Sequence, residues 1–242
     1  MPFRWRTEIE RGVMTLTDQP DRIVLGLTGA SGAAYGIRLA QVLLHAGTEL
    51  HLVASSAAFQ VMARELGSVT AAPQTRQDWW LDTIENSLTR GHCQNWDVTP
   101  LDPNTSRCGQ LRVWELNNFS AGIASGSFMT RGMVLCPCSM GTLASIANGA
   151  SSNVIHRAAD VHLKERRPLI IVPRETPLSP IQLQNMLTLS QAGATVMPSM
   201  PGYYHQPESI GALIDFIVAR ICDHLHIPHT LSMRWGEGEA AE

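Results

Sequence analysis

The chain has almost no lysine: of its 18 basic residues all are arginine except Lys164. Charge of either sign is scarce, at 16% of 242 residues, and the formal net charge is −3. No global basic field therefore recruits nucleic acid or an anionic membrane, and any anion site has to be local. No apolar run approaches the ~20 residues of a membrane span. Nor does the opening stretch, Met1 to Glu8, hold the apolar core of a secretory signal. Cysteines are odd in number, at Cys93, Cys108, Cys136, Cys138 and Cys222, and their spacing forms no disulfide framework. These absences point to a cytoplasmic protein with reduced thiols, without a nucleic-acid or membrane partner. Cys136 and Cys138 lack a second Cys/His pair at ligand spacing, so no metal site is expected.

What the chain does have is material for a core. Hydrophobic residues make up 44%, which excludes a disordered chain, a collagen-like repeat and a small disulfide scaffold. With so little charge to cover a monomer's surface, oligomerisation is expected. Residues 1–21 are weakly patterned and read as an N-terminal extension. Residues 22–236 read as one α/β domain, with 237–242 as a tail.

Ile23 to Leu27 is a buried strand, followed by a helix pattern through Ala33, Ile37, Ala40 and Leu44 that stops at Gly47. Leu50 to Ala54 is a second strand and Ala57 to Leu66 a second helix. Residues 67–118 break this rhythm and read as a long irregular insertion, with a short helix near Asp78–Leu88. Strands then fall at Met133–Cys136, Pro168–Val172 and Thr195–Met197. Helices fall after Ser139 and at Val154–Arg166, Ser179–Ala192 and 208–226. Strands alternating with helices predict a parallel sheet covered on both faces, a Rossmann-like (flavodoxin-like) three-layer α/β sandwich.

Thr28-Gly29-Ala30-Ser31-Gly32, at the end of the first strand, fits either a tight turn or a phosphate-binding loop. Small residues there admit a phosphate, and the helix beyond offers N–H groups. The glycines at 29, 32 and 36 do not match the dinucleotide fingerprint, and Lys164 is far from any Walker loop. A mononucleotide such as FMN remains. Ser139-Met140-Gly141-Thr142 follows the Met133–Cys136 strand and makes a second small-residue loop, with Ser139 as a helix cap. Two such loops can grip one cofactor from both sides.

The densest charge lies in Arg157 to Arg167. Arg157, Asp160 and Lys164 share one helical face, so the pattern is either an anion site or a solvated basic helix. After the next strand come Arg174, suited to hold a phosphate, and Glu175, suited to move a proton, unless the two are a surface ion pair. Tyr204 lies in a Pro/Gly loop. Arg220 sits among Phe216, Ile217 and Ile221, where it needs an anionic partner.

Taken in order, Thr28-Gly-Ala-Ser-Gly32, Cys136-Pro-Cys-Ser139, Arg157-Ala-Ala-Asp160, Leu163-Lys-Glu-Arg-Arg-Pro-Leu169, Arg174-Glu-Thr-Pro177 and Tyr203-Tyr-His205 resemble the UbiX-type flavin prenyltransferases. The resemblance covers roughly residues 22–236. It implies a dodecamer with sites between subunits. It also implies a metal-independent enzyme that joins a dimethylallyl group from dimethylallyl monophosphate to N5 and C6 of reduced FMN. The product, prenylated FMN, would serve UbiD-type decarboxylases, including one in ubiquinone synthesis. By the same resemblance Gly29, Ala30, Ser31, Ser55, Ser139, Met140, Gly141, Thr142 and Arg174 would hold FMN. Arg157, Lys164, Tyr204 and Arg220 would grip the prenyl phosphate, with Trp235 beside the prenyl group. Ser31 and Glu65 would relay a flavin proton, and Glu175 would protonate the departing phosphate. Two rival readings are an FMN-dependent cysteine-type decarboxylase of the same fold and a non-catalytic flavin carrier. The usual Pro-x-Ser-x-Asn-Thr loop of the first is replaced here by Pro137-Cys-Ser139-Met-Gly-Thr142.

Overall fold

The computed structural model describes residues 21–67, 77–102 and 109–232. The extension before residue 21, Trp235 and the 237–242 tail lie outside them. In chain order the elements are β1 (Arg22–Leu27), α1 (Ala33–His45), β2 (Glu49–Ala54), α2 (Ser56–Glu65), α3 (Gln77–Asn86), β3 (Gln110–Trp114), β4 (Gly132–Cys138), α4 (Met140–Ala147), α5 (Val154–Lys164), β5 (Leu169–Pro173), α6 (Pro180–Gln191), β6 (Thr195–Val196) and α7 (Ile210–Leu225).

All strand pairs are parallel and the order is β3-β2-β1-β4-β5-β6. β1 and β4 lie at the centre, buried on both faces, which is why they read as continuous apolar runs. Alternate side chains of β1 serve opposite faces. Ile23, Leu25 and Leu27 pack with α1, α2, α3 and α7, whereas Val24 packs with α4, α5 and α6. The strand order reverses between β1 and β4, and that switch point opens a crevice at the strands' carboxyl ends.

The reading of 67–118 as an irregular insertion needs correction. It supplies α3, where a helix was expected, but also β3, which pairs with β2 as the edge of the sheet. β3 has only Leu111 fully buried, because an edge strand covered on one side keeps polar residues. Among the described residues, no helix is long and apolar enough to cross a membrane.

Among the described residues the buried cation is not Arg220 but Arg38. Its Nε donates to Asp215 Oδ1 at 2.7 Å, and Thr99 N–H donates to Asp215 Oδ2 at 2.8 Å. Arg38 also donates to the Thr99 carbonyl, so one closed network ties α1, α7 and the chain after α3. Arg220 is instead half exposed at 53%, with Asp223 as its anionic partner.

Candidate active site

The two small-residue loops meet at the switch point and are tied by Thr28. This buried hydroxyl donates to the Pro137 carbonyl at 2.9 Å and accepts the Ser139 N–H at 2.7 Å. The Thr28 N–H also donates to Pro137 O at 3.2 Å. The hydroxyl's capacity therefore goes into fixing the spacing of the loops. Two glycines let the pieces approach. A Cβ on Gly36 would fall on the Cys136 carbonyl oxygen, so α1 seats directly on β4. Gly32 turns the chain into α1 at φ 108°, a left-handed conformation costly for other residues.

The N-terminus of α1, read as a phosphate site, is already occupied from within the chain. Glu65, at the end of α2, accepts from Gly32 N–H at 2.9 Å and from Ala33 N–H at 2.8 Å. A carboxylate there satisfies helix N–H groups and the positive dipole end together. The arrangement also brings Glu65 beside Ser31. Tyr35, one turn into α1, lies against Gly32. Burial, then the neighbouring Cys136, Tyr203 and Glu65, hold its phenol above the usual tyrosine range.

At α4, Ser139 Oγ accepts from Thr142 N–H at 3.3 Å, and Gly141 faces open space where a Cβ would meet nothing within 4 Å. At α2, Ser55 Oγ accepts from Ala58 N–H at 3.2 Å. These two helix N-termini point into the crevice with α1's closed between them. Cys136 and Cys138 flank Pro137, fully buried, and burial pushes both thiols well up, so they stay protonated.

Beyond β5, Arg174 Nε donates to the Ser31 carbonyl at 3.3 Å, linking the β5 loop to the β1 loop. Next to it, Glu175 accepts the Thr176 N–H at 3.1 Å. Arg174 and Glu175 line a cavity of about 250 Å³ with Leu178, Met186, Pro198 and Met200. An adjoining cavity of about 310 Å³ shares Pro198 and Met200 and is lined by Phe216, Ile217 and Arg220. Tyr204 lies on the same side, edge-on to Phe216 at 5.8 Å.

One chain thus brings Gly29, Ala30, Ser31, Ser55, Glu65, Ser139 to Thr142, Arg174 and Glu175 to the carboxyl ends of the strands, with Arg220 and Tyr204 on the neighbouring edge. Arg157, in the first turn of α5, begins near that end of the sheet, where Val154 N–H donates to Leu116 O just past β3, but Lys164 does not reach it. Those two lie on α5, on the opposite face from α7. Arg157 donates to the Ala124 carbonyl at 3.0 Å and to Asp160 at 2.7 Å. Lys164 pairs with Glu165 in the last turn of α5, just before β5 begins, so it sits at the other end of the sheet. The four-residue phosphate cradle implied by the resemblance is therefore split within one chain. Tyr35 carried no separate signal beyond its place in the first loop.

Comparison with known proteins accords with this geometry. The Flavoprotein family model matches residues 14–222. The flavin prenyltransferase UbiX of Pseudomonas aeruginosa is 48% identical over 219 residues, covering 90% of this chain and 95% of its own. A probable UbiX-like flavin prenyltransferase of Streptomyces sp. is 41% identical over 223 residues, 91% of this chain and 94% of its own. The crystal structure of AnUbiX (PadA1) in complex with FMN and dimethylallyl pyrophosphate aligns with a TM-score of 0.72 at 35% identity, covering 91% of this chain and 100% of that one. A dodecameric FMN-dependent UbiX-like decarboxylase from Escherichia coli O157:H7 aligns at 0.70 with 34% identity, covering 88% and 98%. Matched across its whole sheet, both loops and the Arg174-Glu175 turn, the chain belongs to the flavoprotein family and, within it, to the UbiX-type flavin prenyltransferases.

Proposed function

We propose that the protein transfers a dimethylallyl group from dimethylallyl monophosphate to N5 and C6 of reduced FMN. The observation that carries this reading is the crevice between β1 and β4, where two loops locked by Thr28 face Arg174 and Glu175. FMN fits the residues present. The open α4 N-terminus at Gly141 and the Ser55 cap at α2 suit a mononucleotide phosphate. Gly29 to Ser31 provides a wall of small residues for the ring system. The reduced flavin supplies the nucleophilic atoms.

The chain's own residues provide the rest. Arg174, anchored on Ser31 O, orients the ligand between the β1 and β5 loops. Glu175, held by the Thr176 N–H, delivers a proton to the departing phosphate oxygen. A monophosphate leaves poorly, so a preorganised set of cations has to stabilise it. Arg220 supplies one cation of that set, and Tyr204 adds a phenol O–H donor beside it. Arg157 and Lys164 supply the other cations from a neighbouring copy, since no single chain unites them. Glu65, beside Ser31, accepts the flavin C6 proton through the Ser31 hydroxyl. The product, prenylated FMN, would pass to a UbiD-type decarboxylase.

Exposed apolar residues support the assembly this requires. On α6, Ile181 is 75% and Leu187 50% exposed, with Met200 and Tyr203 at 67% and 70% nearby. Such a surface suits burial against further copies in a closed oligomer such as a dodecamer. The decisive experiment is anaerobic incubation with reduced FMN and dimethylallyl monophosphate, followed by mass spectrometry of the flavin. A flavin heavier by one five-carbon unit is the expected result. Unmodified flavin would leave a carrier, and loss of carbon dioxide from a cysteinyl substrate would identify the decarboxylase.

A further inference from the structure

Arg220 stands on the exposed side of α7, and a long cation there loses considerable rotamer freedom when it binds an anion. The structure holds it from behind. Its Nη1 donates to Asp223 Oδ2 at 2.9 Å, one turn further along α7. The other oxygen, Asp223 Oδ1, lies 3.2 Å from His229 Nε2. His229 is only 3% exposed. Its second ring nitrogen, Nδ1, accepts the Leu231 N–H at 3.4 Å, which leaves the proton on Nε2, directed at the carboxylate.

The backbone is folded to make this contact. α7 ends at His226, in the left-handed region at φ 55°, and the Ile227 N–H donates to Cys222 O at 2.9 Å. The chain then doubles back along the helix, anchored by Ile227 at 3% and Leu231 at 6% exposure. The turn places a buried imidazole against Asp223, the carboxylate that pairs with Arg220 among the described residues. Among the described residues one of the five guanidinium donors goes to Asp223, and the rest of the planar fork is available to a phosphate. Arg220 also lines the cavity adjoining Glu175.

We propose that Asp223 and His229 are positioning residues for Arg220, fixing its guanidinium at the cavity mouth to receive the phosphate monoester of the prenyl donor. The inference rests on Arg220 being a phosphate ligand. Neither residue touches substrate: His229 orients the carboxylate, and the carboxylate orients the arginine.

A double-mutant cycle on the assembled enzyme tests it, read as KM for dimethylallyl monophosphate, with FMN affinity and melting temperature followed in parallel. His229→Leu should raise KM about tenfold, within the coupling range of contacting residues, and leave FMN affinity unchanged. His229→Gln, which keeps a donor of similar reach, should restore most of it. In an Arg220→Ala background, His229→Leu should change KM less than about twofold. Asp223→Ala, at a partly exposed helix position, takes the place of His229→Leu in the cycle if that variant does not fold. A lowered melting temperature with unchanged KM, or the same rise in KM with and without Arg220, would overturn the proposal and leave a structural hydrogen bond. An Arg220→Ala enzyme with normal KM would instead overturn Arg220 as the phosphate ligand.

Discussion

The flavin end and the phosphate end of this site are built differently. The loops after β1, β2, β4 and β5 come together inside one chain, joined by Thr28 to Pro137 and Ser139, by Glu65 to Gly32 and Ala33, and by Arg174 to Ser31. Each contact is local to the switch point and needs nothing from outside. The cations are dispersed: Arg220 at one edge, Arg157 and Lys164 across the sheet on α5, each resting on its own carboxylate. On the proposed reading the cofactor is held within a subunit and the leaving group between subunits, which makes chemistry conditional on assembly.

Glu175 should give the largest effect, because in the proposed reaction it acts on the bond being broken. Glu175→Gln keeps the shape and the acceptor for the Thr176 N–H but carries no transferable proton. Turnover should fall about 10²–10⁴-fold with flavin and substrate binding intact, the usual range for general acid–base catalysis. Turnover at the wild-type rate would reduce Glu175 to a neighbour of Arg174.

The division between subunits has its own test. Lys164→Ala and Arg220→Ala should each lose about 10²–10³-fold in prenyl transfer, as when a stabiliser of developing charge is removed, and each should still bind FMN. Dissociating the two inactive proteins, mixing them equally and reassembling them should then restore about a quarter of the wild-type activity, since random closed assembly pairs an intact Lys164 with an intact Arg220 at that share of interfaces. No recovery would mean that both residues serve the same subunit's site, contrary to their placement here.

The contrast also explains what could be read from the sequence. β1, β2, β4 and β5 are apolar runs because they are buried on both faces, and the loops that follow them carry their glycines and hydroxyls in the right places. β3 was lost because Gln110-Leu-Arg-Val-Trp114 alternates with polar residues, as an edge strand does, and sits in a stretch with few periods. Glu65 was reachable only through resemblance to a family, since nothing in Met62-Ala-Arg-Glu65 indicates that α2 ends beside the start of α1. The Arg38–Asp215 pair was invisible because its members are 177 residues apart in sequence. Arg157 and Lys164 share a helical face that the sequence shows, but the proposed completion of their cradle by a second copy has no counterpart in local spacing.

Thr28 offers a smaller and more local test. Thr28→Val keeps volume and β-branching but leaves the Ser139 N–H without its acceptor, while the Pro137 carbonyl keeps only the Thr28 N–H. An unsatisfied buried group costs about 1–3 kcal/mol, equivalent to roughly 5–150-fold in binding if the loops separate only when FMN is absent. FMN affinity measured by calorimetry should fall within that range, while the mass of the assembly stays constant. An unchanged affinity would show that the loops hold their spacing without the tie.

The smallest effect at neutral pH, and the one that separates the two ends most cleanly, concerns His162 on α5. Its Nε2 lies 2.9 Å from Thr130 Oγ1, and its Nδ1 lies 2.7 Å from the Ala158 carbonyl. Burial, with Arg167 adding to it, lowers its pKa from 6.5 to about 4. The unfolded chain therefore takes up a proton near its ordinary value while the folded chain resists it. Stability from this residue is complete above about pH 6.5 and is lost as pH falls toward 4, by about 2 kcal/mol at pH 5. His51 and His156 shift in the same direction through burial. At the flavin loops the Cys136 and Cys138 thiols stay neutral throughout. Acid should thus loosen the seat of α5, and with it Arg157 and Lys164, before it disturbs the crevice at Thr28. His162→Gln retains hydrogen-bonding capacity without a titrating ring, so its melting temperature should fall less between pH 7 and 5 than that of the parent. Hydrogen exchange at pH 5 should quicken in α5 first. Equal slopes for the two proteins, or exchange that quickens first around Ser139, would place the acid-sensitive element at the flavin end instead.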